Sequence, residues 1–453
     1  MRSPRILVVP YPVQGHVIPL MELSKCLAKH GLRITFVNTE YNHQLIKNAS
    51  EGNNIGDDIH VVSVPDGIHF SEDKNKPGKS SEAILRVMPG KIEELIEEIN
   101  ASGSDKIGCI LADQSFGWAL EIAEKKGIRR AAFCPAAAAQ LVLGFSIPKL
   151  IEDGIIDDHG TPTKQQIIQI SPTMPAVNTA NFVWACLGNK EAQKNIFGLM
   201  VRNNKSVKLT DWLLCNSTYD LEPGAFNLAP QLLPIGPLLA SNRQADSVGN
   251  FWPEDTTCLA WLDQQPPESV IYVAFGSLAV LHQTQFQELA LGLELCNRPF
   301  LWVIRSDIRK GTTDAFLKEF QDRVGTRGKV VDWAPQQKVL AHPSVACFVS
   351  HCGWNSTIEG VSNGILFLCW PCFADQFLNQ SYICDIWKIG LGFERDENGR
   401  IMRGEFKNKV EQLLSNGEFK ARALELKEMV INSAKETGSS YQNFKKFVEW
   451  LKE

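Results

Sequence analysis

"RILVVPYPVQGHVIPLMELSKCLAKHGLRITFVN" (residues 5–38) decides the architecture. Residues 5–10 are a β-rich apolar run that breaks into the loop "YPVQG". Val17, Leu20, Met21, Leu27 and Ala28 then recur at helical spacing up to Gly31, which suits a C-terminal cap. Residues 32–38 follow at once as a second strand. Two strands joined through a helix make a βαβ unit, in which the strands run parallel and helices cover their faces. The alternation resumes with "IGCILAD" (107–113), a helix from Trp118 to Lys126, and "RRAAFC" (129–134).

Residues 146–208, rich in Pro, Asn and Gln, break this rhythm and read as loops and short helices over a ligand cleft. "WLLCNS" (212–217) reads as another strand and "LLPIGPLLASNRQADSVGN" (232–250) as a linker. Strands at 269–277, 299–305, 328–333, 345–349 and 365–370 then alternate with helical segments, and a charged amphipathic run closes the chain from Arg403. The expected fold is α/β with two Rossmann-like, doubly wound parallel-sheet domains. They span 1–237 and 257–435, joined by a linker at 238–256, and a terminal helix at 436–453 packs back on the first. Ligands of such sheets sit beyond the carboxyl ends of the strands, so two facing halves place a cleft between them.

A chain of 453 residues exceeds one ordinary domain, and 44% apolar with 21% charged residues suits a soluble globular protein. A net charge of −5 offers no basic surface for nucleic acid and leaves a small-molecule ligand as the default. The start, "MRSPRILVVPYP", has too short an apolar stretch for a signal peptide. The most apolar later region, 131–151, is broken by Pro135, Gln140 and Pro148, short of the ~20 apolar residues a membrane span needs. Twelve cysteines without regular spacing suit reduced, buried thiols. A cytoplasmic monomer with no membrane span is expected.

The chemistry concentrates in "HCGWNSTIEG" (351–360), a strand-to-helix turn with the helix expected from Asn355 or Ser356. A helix N-terminus presents backbone N–H groups and the positive dipole end, which suits phosphate. Gly353 admits close approach, and His351, Asn355 and Ser356 add donors. A capping box, Ser356 with Glu359, would satisfy the helix with no ligand. It leaves His351 and Trp354 unexplained.

The wider stretch "WAPQQKVLAHPSVACFVSHCGWNSTIEGVSNGILFLCWPCFADQ", Trp333 to Gln376, closely resembles the signature box of the plant family 1 UDP-dependent glycosyltransferases, the secondary-product enzymes. That resemblance implies the GT-B fold and a UDP-sugar donor. It implies that Trp333 stacks on uracil, that Ala334 holds the base edge and that Gln336 lies against the nucleoside. Glu359 would accept the ribose hydroxyls, and His351, Asn355, Ser356 and Ser277 would hold the diphosphate. Trp354, Asp375 and Gln376 would face the sugar, with Gln376 favouring glucose. Three departures stand out: Leu366 replaces a usual proline, Ala346 a frequent glycine and Cys372 a common aromatic.

The other half supplies the reaction. His16 ends the loop after the first strand and Asp113 ends "IGCILAD", so both reach one sheet edge. A neutral imidazole can take a proton from an acceptor hydroxyl, and a carboxylate at Nδ1 fixes its tautomer and stabilises the imidazolium. The resembled family uses such a pair at these positions. Met88, Phe116, Phe145, Phe182 and Phe373 are the candidates for an apolar acceptor pocket suited to flavonoids, other phenolics or terpenoid alcohols.

No Asp-x-Asp occurs in the chain, so neither a metal nor a resident cofactor is expected beside UDP-glucose as donor. "CWPC" (369–372) ends an apolar strand instead of opening a helix, which argues against a redox role. "PGKSS" (77–81) has Asp73 where a phosphate loop needs its first glycine. A nicotinamide-dependent dehydrogenase would need G-x-G-x-x-G where "VPYPVQG" stands. A non-catalytic UDP-sugar-binding module has no use for His16 and Asp113.

Overall fold

A computed structural model describes residues 4–49, 58–68, 79–101, 106–239, 250–308 and 312–453. The "PGKSS" side chains, Asp73 and residues 240–249 of the expected linker lie outside the described residues.

Fifteen strands are assigned among the described residues. In the first half they are β1 (Arg5–Val9), β2 (Arg33–Thr39), β3 (Ile59–Val64), β4 (Ile107–Asp113) and β5 (Arg129–Cys134). A two-stranded antiparallel pair follows, β6 (Ile167–Ile168) with β7 (Val177–Asn178), and then β8 (Trp212–Cys215) and β9 (Leu232–Pro234). The main sheet runs β3-β2-β1-β4-β5-β8-β9, and all its pairings are parallel. Strands covered on both faces need continuous apolar runs, and Ile6, Leu7, Val8 and Val9 are all fully buried.

The second half repeats the plan with β10 (Val270–Ala274), β11 (Phe300–Val303), β12 (Gly328–Val331), β13 (Val345–Ser350), β14 (Leu366–Cys369) and β15 (Gly390–Gly392). Their order is β12-β11-β10-β13-β14-β15, again parallel throughout. Strand order reverses once in each sheet, between β1 and β4 and between β10 and β13. Those two reversals are the topological switch points where such sheets receive ligands.

Packing divides the chain into two units. One comprises Met1–Trp252, Phe373–Asp375 and Asn432–Glu453; the other comprises Pro253–Cys372 and Gln376–Ile431. In the first unit the terminal helix Ser439–Lys452 buries Phe444, Phe447, Val448 and Leu451 in the core that holds Leu20, Leu27 and Leu32. Each such side chain contributes about 1.5–3 kcal/mol. Arg129, first residue of β5, closes that helix by donating to the Trp450 and Leu451 carbonyls at 2.6 and 3.1 Å.

Three expectations need correction. The stretch read as loops and short helices contains a helix of 17 residues, Lys190–Ser206, capped by Asn189, whose Oδ1 accepts from the Glu191 amide at 2.9 Å. Its buried positions, Ala192, Phe197, Asn203 and Ser206, are half polar, so no apolar stripe announces it. The start of the supposed linker is a strand, Leu232–Pro234, paired with β8. The signature helix begins at Trp354, before Asn355, and its cap is Gly353, with no side-chain cap hydrogen bond.

Candidate active site

At the first switch point β1 gives way to a short loop and the helix Gln14–Lys29. His16 lies in that helix's first turn, its amide donating to the Val13 carbonyl at 2.9 Å. Asp113 ends β4 and is fully buried. Its Oδ2 lies 2.7 Å from His16 Nδ1, while its Oδ1 accepts from the Ser115 amide at 2.8 Å. Asp113 thus receives Nδ1–H, which leaves Nε2 as the basic nitrogen.

The His16 side chain keeps 26% of its surface exposed. Burial pushes its pKa down, but the charge and hydrogen bond of Asp113, aided by the charge of Asp375, outweigh burial and raise it above the ordinary value. Asp375 acts here because residues 373–375 pack with the first unit. Cys186 Sγ reaches the Ala374 carbonyl at 3.8 Å, and Ala374 takes a left-handed φ of +59°. Gln376 belongs to the second unit; it is buried, and its Oε1 accepts from the Cys372 amide at 2.8 Å.

Asn203 was not anticipated. From the helix Lys190–Ser206 its Oδ1 accepts from the Gly117 amide at 3.2 Å and its Nδ2 donates to the Ser115 carbonyl at 2.8 Å. It therefore fastens the turn whose Ser115 amide holds Asp113. A Cβ on Gly117 would lie 2.6 Å from Ser206 Cβ and 3.0 Å from Asn203 Oδ1, so the close approach needs glycine there. An Asn between Arg202 and Asn204 in a polar stretch carries no distinguishing sequence signal.

The second switch point has the same plan with different residues. The turn after β10 carries Gly276, at φ +68°, and half-buried Ser277. His351 directly follows β13, and its ring occupies space kept open by two glycines. A Cβ on Gly276 or Gly353 would come within 2.7 or 2.5 Å of its Nε2. His351 Nδ1 is buried without a hydrogen-bond partner. Burial, only partly opposed by a hydrogen bond to the Ala274 backbone, lowers its pKa to about 4, so it is neutral at pH 7. Cys352 takes φ +65°, a strained conformation for a non-glycine residue, and its amide donates to Ser350 Oγ at 3.0 Å.

The helix Trp354–Asn363 follows, and its first intrahelical bond runs from the Thr357 amide to the Gly353 carbonyl. Its N-terminal amides and dipole therefore point to the strand's carboxyl edge. Ser356 and Glu359 do not form a capping box. Gln336 Nε2 donates to Ser356 Oγ at 2.9 Å and to Glu359 Oε2 at 2.7 Å, and Gln337 Nε2 donates to Glu359 Oε1 at 3.1 Å. Tyr272 Oη fixes the other end of the Gln336 amide at 3.1 Å. Burial pushes Glu359 up to about 7 against the hydrogen bonds of Gln336 and Gln337, with the charge of Glu254 adding to the rise. Trp333 and Asn355 are half-buried, and Ala334 and Trp354 are buried. Trp333 and Ala334 follow β12, and the Trp333 carbonyl accepts from the Asp255 amide at 2.8 Å.

The aromatic candidates fall into two groups. Phe116 lies against Tyr11, which in turn meets the His16 ring, with centroids 5.1 and 5.3 Å apart. Phe182 is fully buried on Trp184, centroids 4.9 Å apart, and Met88 and Phe116 are nearly as covered, so these three offer almost no surface to a ligand. Phe145 and Phe373 remain half-exposed. In "CWPC", burial pushes the Cys372 thiol up to about 11 and Cys369 well above its ordinary value, so neither is an activated thiolate.

Two doubly wound parallel sheets, each with a histidine at its switch point, define a protein of the GT-B class. A family model described as UDP-glucoronosyl and UDP-glucosyl transferase matches residues 193–432. UDP-glycosyltransferase 83A1 of Arabidopsis thaliana is 53% identical across the whole chain and 97% of its own length. The 7-deoxyloganetin glucosyltransferase of Catharanthus roseus is 30% identical over the whole chain and 97% of its own. The crystal structure of Os79 from O. sativa in complex with UDP matches with a TM-score of 0.83 at 26% identity, covering 98% of this chain and all of that one. The chain belongs to the UDP-glucoronosyl and UDP-glucosyl transferase family and is a glycosyltransferase, which removes the dehydrogenase reading. Among the described residues, no helix is long and apolar enough to cross a membrane.

Proposed function

We propose that the protein transfers glucose from UDP-glucose to a hydroxyl of a small lipophilic acceptor, a flavonoid, another phenolic or a terpenoid alcohol, inverting the anomeric centre. The observation that carries this reading is the 2.7 Å contact between His16 Nδ1 and the buried Asp113 carboxylate. It leaves a basic Nε2 at the carboxyl edge of the first sheet. The acceptor hydroxyl gives its proton to Nε2 as its oxygen bonds to the anomeric carbon. The bond from that carbon to the UDP oxygen breaks on the opposite face, and UDP departs. Asp113 stabilises the imidazolium, and the proton passes to water before the next acceptor is deprotonated.

In this reading the donor's groups come from the second unit, except Asp375, which packs with the first. Trp333 and Ala334 take the uracil, Gln336 the nucleoside and Glu359 the ribose; Ser277, His351, Asn355 and Ser356 take the diphosphate; Trp354, Asp375 and Gln376 take the sugar. The glucosyl transfer in the name of the Catharanthus relative supports the donor assignment. With no Asp-x-Asp, charge on departing UDP falls to the amides of the Trp354–Asn363 helix and the donors named.

The test is UDP release with UDP-glucose and a panel of phenolic, flavonoid and terpenoid acceptors, with chelator present. Products are read by mass spectrometry and their anomeric configuration by NMR. The β-glucoside in chelator is expected. An α-glucoside, or activity lost in chelator and restored by Mg²⁺ or Mn²⁺, contradicts the mechanism; binding of UDP-glucose without turnover of any acceptor favours a binding module.

A further inference from the structure

We infer that Arg305 is a positioning residue of the donor site, holding the turn that carries Ser277 in the shape that receives a diphosphate. The inference rests on the donor reading of Ser277 given above.

Arg305 stands two residues beyond β11, the strand next to β10, and it is 5% exposed. Its Nη1 donates to the Gly276 carbonyl at 3.1 Å and to the Ala279 carbonyl at 3.3 Å. Those carbonyls bracket Ser277. The other edge of the guanidinium meets the Asp307 carboxylate, Nε to Oδ1 at 3.0 Å and Nη2 to Oδ2 at 3.3 Å. One planar group thus ties a half-exposed carboxylate on one side to both ends of the turn on the other.

The geometry uses what is particular to arginine. Its donors form a rigid fork, so the Asp307 contact along one edge fixes the direction of Nη1 on the other. An ammonium has no such fork and cannot span a carboxylate and two carbonyls in one plane. The turn needs outside support because Gly276 sits at φ +68° and brings no side chain of its own. Gly276 is also one of the two glycines against the His351 ring. Arg305 therefore sets two diphosphate groups together, the Ser277 hydroxyl and the seat of His351.

Arg305→Lys keeps the charge and loses the fork. It is expected to weaken UDP binding by about tenfold, the loss of one charge-assisted contact. Uridine, which lacks the diphosphate, should bind within about twofold of the wild type. Asp307→Ala, at a more exposed position, should weaken UDP by a smaller factor, again without changing uridine. Calorimetry with both ligands, beside thermal melts of each variant, gives the readout. Ser277→Ala should weaken UDP alone, and Arg305→Lys combined with it should be no worse than the weaker-binding single variant. Equal losses for UDP and uridine would make Arg305 a support of the fold only and overturn the inference. Full UDP affinity in Arg305→Lys, with Ser277→Ala impaired, overturns the inference and leaves the donor site standing. Full UDP affinity in Ser277→Ala overturns the donor reading of that turn and the inference with it.

Discussion

The two switch points invite comparison because each ends its central strand with a short polar residue that turns the chain in the same way. Asp113 ends β4 and accepts from the amide two residues on, Ser115; Ser350 ends β13 and accepts from the amide two residues on, Cys352. This is a local side-chain turn in both cases. One difference is an oxygen. A carboxylate has a second oxygen to offer, and Asp113 gives it to His16; a serine hydroxyl has none, and His351 is left between two glycines with Nδ1 unpartnered. With the charge of Asp375 adding to Asp113, one imidazole is raised in pKa, and burial, only partly opposed by the Ala274 backbone, lowers the other to about 4. The carboxyl edge of each sheet thus holds an imidazole, raised in pKa in one unit and neutral at pH 7 in the other.

The largest expected effect separates the two histidines. His16→Ala should lower kcat by about 10²–10⁴, the usual contribution of a positioned base, and leave UDP affinity within about twofold. His351→Ala should instead weaken UDP by about ten- to a hundredfold, the loss of one or two polar contacts to an anion. Steady-state kinetics with calorimetric UDP binding reads both. Equal loss of kcat and of UDP affinity in each variant would break the comparison.

Asp113→Asn comes next, with a loss in kcat on the order of 10², because an amide cannot stabilise the imidazolium by charge. The base works only when neutral, so activity should fall as pH drops through the His16 pKa. Removing the charge that raises this pKa leaves burial, which lowers it. The acid limb of kcat/KM should therefore move to lower pH in Asp113→Asn even as the plateau falls. The double variant with His16→Ala should be little worse than His16→Ala alone; losses that add in logarithm would mean that Asp113 acts independently of His16.

Asn203→Ala tests the turn behind the carboxylate. Freed from Ser115 and Gly117, that turn should let Asp113 drift, costing about tenfold in kcat with UDP affinity unchanged. An unchanged kcat would show that Asp113 is held without Asn203. The smallest effect is a change of donor preference. Gln376, with Oε1 held by the Cys372 amide, should present its amide protons to the sugar, so Gln376→His should shift the ratio of UDP-glucose to UDP-galactose use toward galactose by a few-fold. A ratio that stays put removes Gln376 from the sugar.

The parallel sheets could be read from the chain because strands covered on both faces are written as short apolar runs, such as "RILVV" and "VACFV". The glycine after the first helix was equally plain, and Gly31 indeed takes φ +78°. Elements whose buried faces are polar or small were not legible. The helix Lys190–Ser206 and its Asn203 hide among Asn, Gln and Lys, and β15 is Gly-Leu-Gly. At the site, residue types and strand ends pointed to His16, Asp113 and His351, but local rules misled where a long-range partner competed. Ser356 and Glu359 have capping-box spacing, yet Gln336 and Gln337, some twenty residues earlier, take their side chains. Nor can spacing reveal a pKa: His16 and His351 are alike as letters and differ in the groups folded around them, the Asp113 and Asp375 carboxylates for one and burial beside the Ala274 backbone for the other.

That difference is open to direct measurement. Protein carrying ¹⁵N-labelled histidine can be titrated by NMR, with the two signals assigned by their loss in His16→Ala and His351→Ala. The account predicts that free His16 titrates above the ordinary histidine value of about 6.5, with Nδ1 protonated in the neutral form. It predicts that His351 stays neutral until the pH approaches about 4. A His16 pKa below the ordinary value, or a His351 that takes up its proton near neutrality, would contradict it.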